Sequence, residues 1–196
     1  MPRIAAASIE EHVRNQGNRI LDAGRDLFIS NGYRATDMSD IARSMGLARN
    51  SLYRYYSSKD HILVAVVERE MQPYFAELEA LEARIADPRE RINAWVGLQM
   101  EIAAGPCHAM IGLLGEMPPQ SKALQKKIMG LHTPLKKSLR KALEQVLAGS
   151  GRDVDIVTAM ISSMVQAAAG VAMRSNDTDR CSEELRLTIS RVLMTS

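Results

Sequence analysis

The chain has 196 residues, 46% of them hydrophobic and 24% charged, with a formal net charge of +2. That length suits one large domain or two small ones, and the balance excludes disordered and fibrous chains. Two cysteines, Cys107 and Cys181, exclude a disulfide scaffold and favour a reducing, cytoplasmic setting.

No segment alternates apolar and polar residues as a half-buried strand does, whereas helix start and stop signals recur, so the pattern predicts an all-α fold. No export signal is expected at the start, where no apolar run of signal-peptide length occurs. Ser8 with Glu11 forms a capping box, and Ile9, Val13, Ile20, Ala23 and Leu27 stripe a first helix over about 9–30. Asn31-Gly32 ends it. Asp37 and Asp40 start a short second helix with Ile41, Ala42 and Met45 inward, stopped at Gly46. A third is predicted from Arg49 to Tyr56, and a fourth opens at Ser57-Ser58-Lys59-Asp60 and runs to about Arg84, with Pro73 a candidate kink.

Asp87-Pro88-Arg89-Glu90 combines a capping aspartate with proline at the first helical position, and a helix should follow to Gly105-Pro106. Further helices are predicted over 107–116, 120–149 with a break near Pro134, 153–174 and 181–195. Ile156 to Met173 carries no charge, but Thr158, Ser162, Ser163, Gln166 and Gly170 interrupt it. It reads as a buried helix and no membrane partner is implied. Val157, Met160, Ile161, Met164, Val165 and Val171 are expected to form its apolar stripe.

Between Ile41 and Lys59 lie Arg43, Arg49, Arg54 and Lys59 and no acid. Ile41, Ala42, Met45, Gly46, Leu47 and Leu52 take the positions that two helices crossing through a tight turn must bury, which is a helix-turn-helix pattern. Leu52 and Tyr56 can then face inward, leaving Arg49, Asn50, Ser51 and Tyr53 outward. Guanidinium groups can grip guanine edges, asparagine can read adenine, and hydroxyls and lysine can hold phosphate oxygens. A basic helix facing only solvent is the alternative.

The run from Arg19 through Gly32-Tyr33-Arg34-Ala35-Thr36, then Asp40-Ile41-Ala42, Gly46-Leu47, Ser51-Leu52-Tyr53, Tyr56 and Ser58-Lys59-Asp60, resembles the tetracycline-repressor (TetR) family over about residues 15–65. The resemblance implies an all-α homodimer with an N-terminal three-helix DNA-binding domain, residues 1–60, and a C-terminal helical bundle, residues 61–196, for ligand binding and dimerisation. It implies a transcriptional regulator, usually a repressor, that binds a near-palindromic operator and is released by a small-molecule effector. Carried over position by position, Thr36 would touch phosphate, Arg49, Asn50 and Ser51 would approach base edges, Tyr53, Tyr55 and Lys59 would grip the backbone, and Tyr56 would be a buried anchor. Ala48 stands where the family usually has serine, Gly24 where it has alanine, and Asn50 where glycine is common. Ala48 removes a side-chain cap worth about 1 kcal/mol, and Gly24 should cost the helix about as much.

In the C-terminal part, Trp95, Met100, Cys107, His108, Met110, Met117, Met160 and Met164 are candidates for lining an effector cavity, because thioethers adapt to irregular ligands; gap-filling core is the competing reading. Lys122, Lys126, Lys127, Lys136, Lys137, Arg140 and Lys141 form a second basic cluster, read as a solvated face because Leu131, Leu135, Leu139, Leu143 and Val146 supply the inner side. The last two helices, the final one bearing Leu185, Leu187, Ile189, Val192 and Leu193, are the expected subunit contact. No cofactor or metal is implied, and no cysteines and histidines stand at ligand spacing. The alternatives to a regulator are a small helical enzyme, for which only Glu101, Cys107 and His108 are loose candidates, and an interaction adaptor without DNA affinity.

Overall fold

A computed structural model of the chain describes residues 6–119, 121–175 and 177–194. Among them every regular element is helical: α1 (Ala6–Asn31), α2 (Met38–Ser44), α3 (Arg49–Leu52), α4 (Lys59–Arg84), α5 (Pro88–Ala104), α6 (Pro106–Leu114), α7 (Lys122–Val146), α8 (Val154–Ser175) and α9 (Thr178–Met194). The chain divides into two compact units. One comprises the residues up to Glu70 with Ala109–Lys127, the other Met71–His108 with the residues from Ile128 onward. Cys107 and Cys181 are not in a disulfide.

In the first unit α2 packs on α1 and on α3. Ile20, Leu21, Phe28, Ile41, Ala42, Leu52, Ile62 and Leu63 build its core. Two expectations for α1 change. The helix already runs at Ala6, so Ser8 lies inside it and does not start it. Ile9 and Val13, expected on the inner stripe, are 57% and 49% exposed, and burial begins only at Ile20. The buried face carries Gly24, where an added Cβ would lie 2.6 Å from Ile62 Cγ2. Glycine here permits close approach of α1 and α4, so its cost as a weak helix former is accepted for packing. Arg69 of α4 ties the same pair together, pairing with Asp22 at 2.9 Å and donating to the Asn18 carbonyl at 3.3 Å.

In the second unit α5, α8 and α9 pack on one another. The stripe Leu131, Leu135, Leu139 and Leu143 of α7 is buried, whereas Val146 is half-buried. The Asp87 side chain caps α5, accepting from the Arg89 amide at 2.9 Å. The predicted break in α7 is absent: the helix continues through Pro134, as α4 does through Pro73. Pro134 removes one donor, to the Gly130 carbonyl, and the other turns hold the rod together. Three of the seven cations in the basic cluster meet acids: Lys127 meets Glu68, Arg140 meets Asp155 and Glu144, and Lys141 meets Glu82. The Arg140 guanidinium holds the Asp155 carboxyl below the usual carboxylate range, and Lys141 does the same to Glu82.

α8 differs most from its sequence pattern. Its buried stripe is Val157, Thr158, Ile161, Val165, Ala169 and Ala172. Met160 and Val171, expected on that stripe, are 52% and 46% exposed, beside exposed Ile156 and Met173. The helix is long and apolar enough to cross a membrane by length and composition, yet only 33% of its most apolar window is buried within the chain. One face of α8 thus lies in the core and a second apolar face lies outside it.

Candidate nucleic-acid interface

Asp37 opens α2. Its carboxylate accepts from the amides of Ser39 and Asp40 at 2.6 and 3.0 Å, and the Asp40 carboxylate accepts from the Asp37 amide at 3.0 Å. Those amide hydrogen bonds hold the Asp37 carboxyl below the usual carboxylate range. α2 ends in a Schellman turn: Leu47 N–H donates to the Ala42 carbonyl at 2.9 Å and Gly46 N–H to the Arg43 carbonyl at 3.1 Å. Gly46 takes φ +67°, which side chains disfavour. The chain thus reverses from α2 into α3 within four residues.

α3 is one turn, Arg49–Leu52, shorter than the predicted 49–56. Ala48 gives it no side-chain cap. Past Leu52 the coil tightens, with the amides of Tyr55 and Tyr56 sharing the Leu52 carbonyl at 2.9 and 3.0 Å. Leu52 is fully buried, and half-buried Tyr56 has its phenol proton held more firmly by burial. Arg49, Asn50, Tyr53 and Arg54 are exposed, and Ser51 and Tyr55 are half-buried. Arg49 is ordered by its neighbour one turn on: Nε and Nη2 donate to Tyr53 Oη at 3.2 and 2.9 Å, with the guanidinium carbon 5.6 Å from the ring centre. Its remaining donors project from the surface.

Two expected phosphate contacts are occupied internally. Thr36 is fully buried and its hydroxyl donates to the carbonyls of Gly32 and Leu27 at 2.9 and 3.2 Å, so the side chain closes the α1–α2 turn and is not offered to a ligand. Lys59 Nζ donates to the carbonyls of Thr36, Tyr33 and Arg34 at 2.7, 2.8 and 3.5 Å and lies 4.3 Å from the Tyr33 ring centre. Sequence reasoning missed Tyr33 and Asp60 in this cluster. Tyr33 donates its hydroxyl proton to Asp60, and burial followed by that bond raises the phenol well above its ordinary value. The pair is 27 positions apart, so no local spacing announces it.

Among the effector candidates, Trp95, Met100, Cys107 and Met110 are buried, His108, Met117 and Met164 half-buried, and Met160 exposed. Trp95 Nε1–H donates to the Leu135 carbonyl at 2.9 Å, which gives that residue a structural duty. Beside Met100 the amide nitrogen Nε2 of Gln99 is enclosed without a hydrogen-bond partner, a feature no sequence signal announced. A cleft of about 720 Å³ runs between α4 and α7, lined among others by Phe75, Leu78, Thr133, Pro134, Lys137 and Ser138. An apolar groove of about 340 Å³ lies along α8 and α9 beside Met164, Ala168, Val171, Cys181, Leu185 and Thr188. Among the described residues no group of three or more His, Cys, Asp or Glu could hold a metal ion.

A capped short helix, a left-handed glycine turn and a second helix with an exposed arginine, asparagine and tyrosine define a helix-turn-helix protein. Residues 20–66 match the family model described as bacterial regulatory proteins, tetR family. The match covers the helix-turn-helix segment and the start of α4. It is 34% identical over 87 residues to the HTH-type transcriptional repressor KstR of Mycolicibacterium smegmatis, covering 44% of this chain and 43% of that protein. The matched stretch thus spans less than half the length of that repressor. Two solved structures share the fold along nearly the whole chain. The transcriptional regulator FadR from Bacillus subtilis in complex with stearoyl-CoA superposes with TM-score 0.70 at 21% identity, covering 91% of this chain and 97% of that one. A TetR transcription regulator from Haloarcula marismortui gives TM-score 0.71 at 19% identity, covering 91% and 96%.

Proposed function

We propose that this protein is an effector-responsive transcriptional regulator, acting in the cytoplasm as a repressor, that binds a near-palindromic operator as a homodimer. The observation that carries the reading is the Arg49–Tyr53 pair: an exposed guanidinium held in place on a helix whose entry is fixed by the Asp37 box and the Gly46 turn. A preordered arginine suits the paired acceptors of a guanine edge. Asn50 and Ser51 stand beside it for further base contacts, and Tyr53, Tyr55 and Arg54 for phosphate oxygens.

The subunit contact is assigned to α8 and α9, whose exposed Ile156, Met160, Val171, Met173 and Leu187 need cover. An isologous contact there would pair two reading heads. The effector is assigned to the second unit, where the enclosed Gln99 amide lacks an acceptor that a ligand could supply near Trp95 and Met100. Differential affinity of that ligand for two dimer geometries would release the operator. A regulator of this kind performs no catalysis.

A gel-shift series with DNA from upstream of the protein's own gene tests the reading. One fragment should bind far more tightly than random duplex, with the logarithmic salt slope close to −0.9 for each neutralised phosphate. Arg49→Ala with Tyr53→Phe should abolish the preference. Failure of every fragment to outcompete random duplex, or indifference to the double substitution, overturns it. A thermal-shift screen that includes stearoyl-CoA tests the effector, and Gln99→Leu should blunt the response.

A further inference from the structure

We infer that the effector is an electrically neutral, largely apolar molecule whose single carbonyl-type acceptor is presented to the Gln99 amide. The inference deepens the effector-responsive reading and rests on it for its consequence at DNA, but the chemistry behind it is independent of DNA. Gln99 stands on the packed side of α5: Trp95 and Val96 one turn before it, and Ile102 and Ala103 one turn after it, are all buried. Its Nε2 is enclosed, and among the described residues it is the one enclosed side-chain nitrogen or oxygen without a hydrogen-bond partner. Two N–H donors are therefore directed into the protein with nothing to accept them.

The flanking side chains cannot supply the acceptor. Val96, Ile102 and Ala103 are hydrocarbon, and the Trp95 indole is itself a donor, committed to the Leu135 carbonyl at 2.9 Å. Carbonyls inside a helix are taken by its own amides. A lone water needs at least two polar partners, and this stripe offers it one. An acceptor carried in on an apolar body meets the need. Charge then decides its form. Among the described residues no Asp, Glu, Lys, Arg or His is buried, and the buried polar side chains, Thr36 and Thr158, donate to main-chain carbonyls. A carboxylate would therefore enter without a buried cation to meet it, and an unpaired buried charge costs more than an unpaired amide. The carbonyl of an ester, thioester or ketone satisfies Nε2 without that cost.

Thermal melting of the DNA-free protein separates the classes. The probes are methyl esters of straight-chain acids of about six to fourteen carbons, each beside its own carboxylate at about pH 8, where the acid is ionised. At least one ester should raise the melting temperature by about 2 °C or more, and its carboxylate by less than half as much. In Gln99→Leu the shift with that ester should fall by half or more. The ligand-free variant should melt no lower than wild type, because an apolar group of similar size removes the unpartnered amide. Carboxylates that match their esters, the absence of any ester response, an undiminished response in Gln99→Leu, or a ligand-free variant that melts lower would each overturn the proposal. Should an ester bind as expected and leave operator affinity unchanged in a gel shift, the regulatory reading fails alone and the ligand class stands.

Discussion

The two units hold themselves together differently. In the first, each reversal of the chain is closed by polar groups: the Asp37–Asp40 box, the Leu47 and Gly46 amides, the Thr36 hydroxyl and the Lys59 ammonium. In the second, α5, α8 and α9 join through aliphatic stripes, and α8 keeps an apolar face outside the core. Directional bonds define single positions, so the first unit can present a few side chains in fixed geometry. Apolar stripes define faces, and these suit a partner surface or an adaptable cavity better than a precise contact.

The contrast can be broken at its apolar end first. Met160→Glu with Val171→Glu places two charges on the uncovered face of α8. The proposed homodimer should fall to a monomer of half the mass by light scattering at micromolar concentration, with helical circular dichroism retained. Unchanged mass would remove α8 from the seam. Within the first unit, Ile41→Ala deletes a fully buried side chain between α1 and α2. It should cost about 2–5 kcal/mol, read as a lower urea midpoint.

Gly24→Ala is a sharper and smaller test. By helix propensity alone it would stabilise α1 by about 1 kcal/mol. Against Ile62, at 2.6 Å from the new Cβ, overpacking of about 1–3 kcal/mol should win, and the melting temperature should fall. A rise would show that Ile62 yields. The smallest effect is expected at Asp37→Ala, which removes an exposed cap from a seven-residue helix. The folded carboxyl is depressed, so its stabilisation is present above the unfolded value near 3.9 and disappears as pH falls through the folded one. Wild type and variant should therefore differ in melting temperature at pH 7 and converge in strong acid.

Much of the first unit could be read from its residues because its determinants are local. Asp37 with Asp40 and Gly46 after Ser44 act within a single turn of chain, as the capping rules require, and the outward placement of Arg49, Asn50 and Tyr53 follows from helical spacing around Leu52. The role the resemblance implies for Lys59 is a separate matter from its internal partners, which no spacing announces because those carbonyls lie 23 to 26 positions away. Gly24 looked like a defect for the same reason: its justification, Ile62, lies on another helix. In α8 nearly every residue is apolar or small, so periodicity could not choose the buried stripe, and Met160 and Val171 fell on the wrong side.

The sequence by itself determined the all-helical class, most helix ends, the turn into α3 and the family resemblance, since caps, glycine turns and short spacings act over a few residues. Tertiary structure alone decided which cations were spent inside, which glycine was required, and which face of an apolar helix stayed uncovered. Those outcomes depend on groups brought together from distant positions, where hydrogen-bond saturation and van der Waals contact are settled only once the helices have packed.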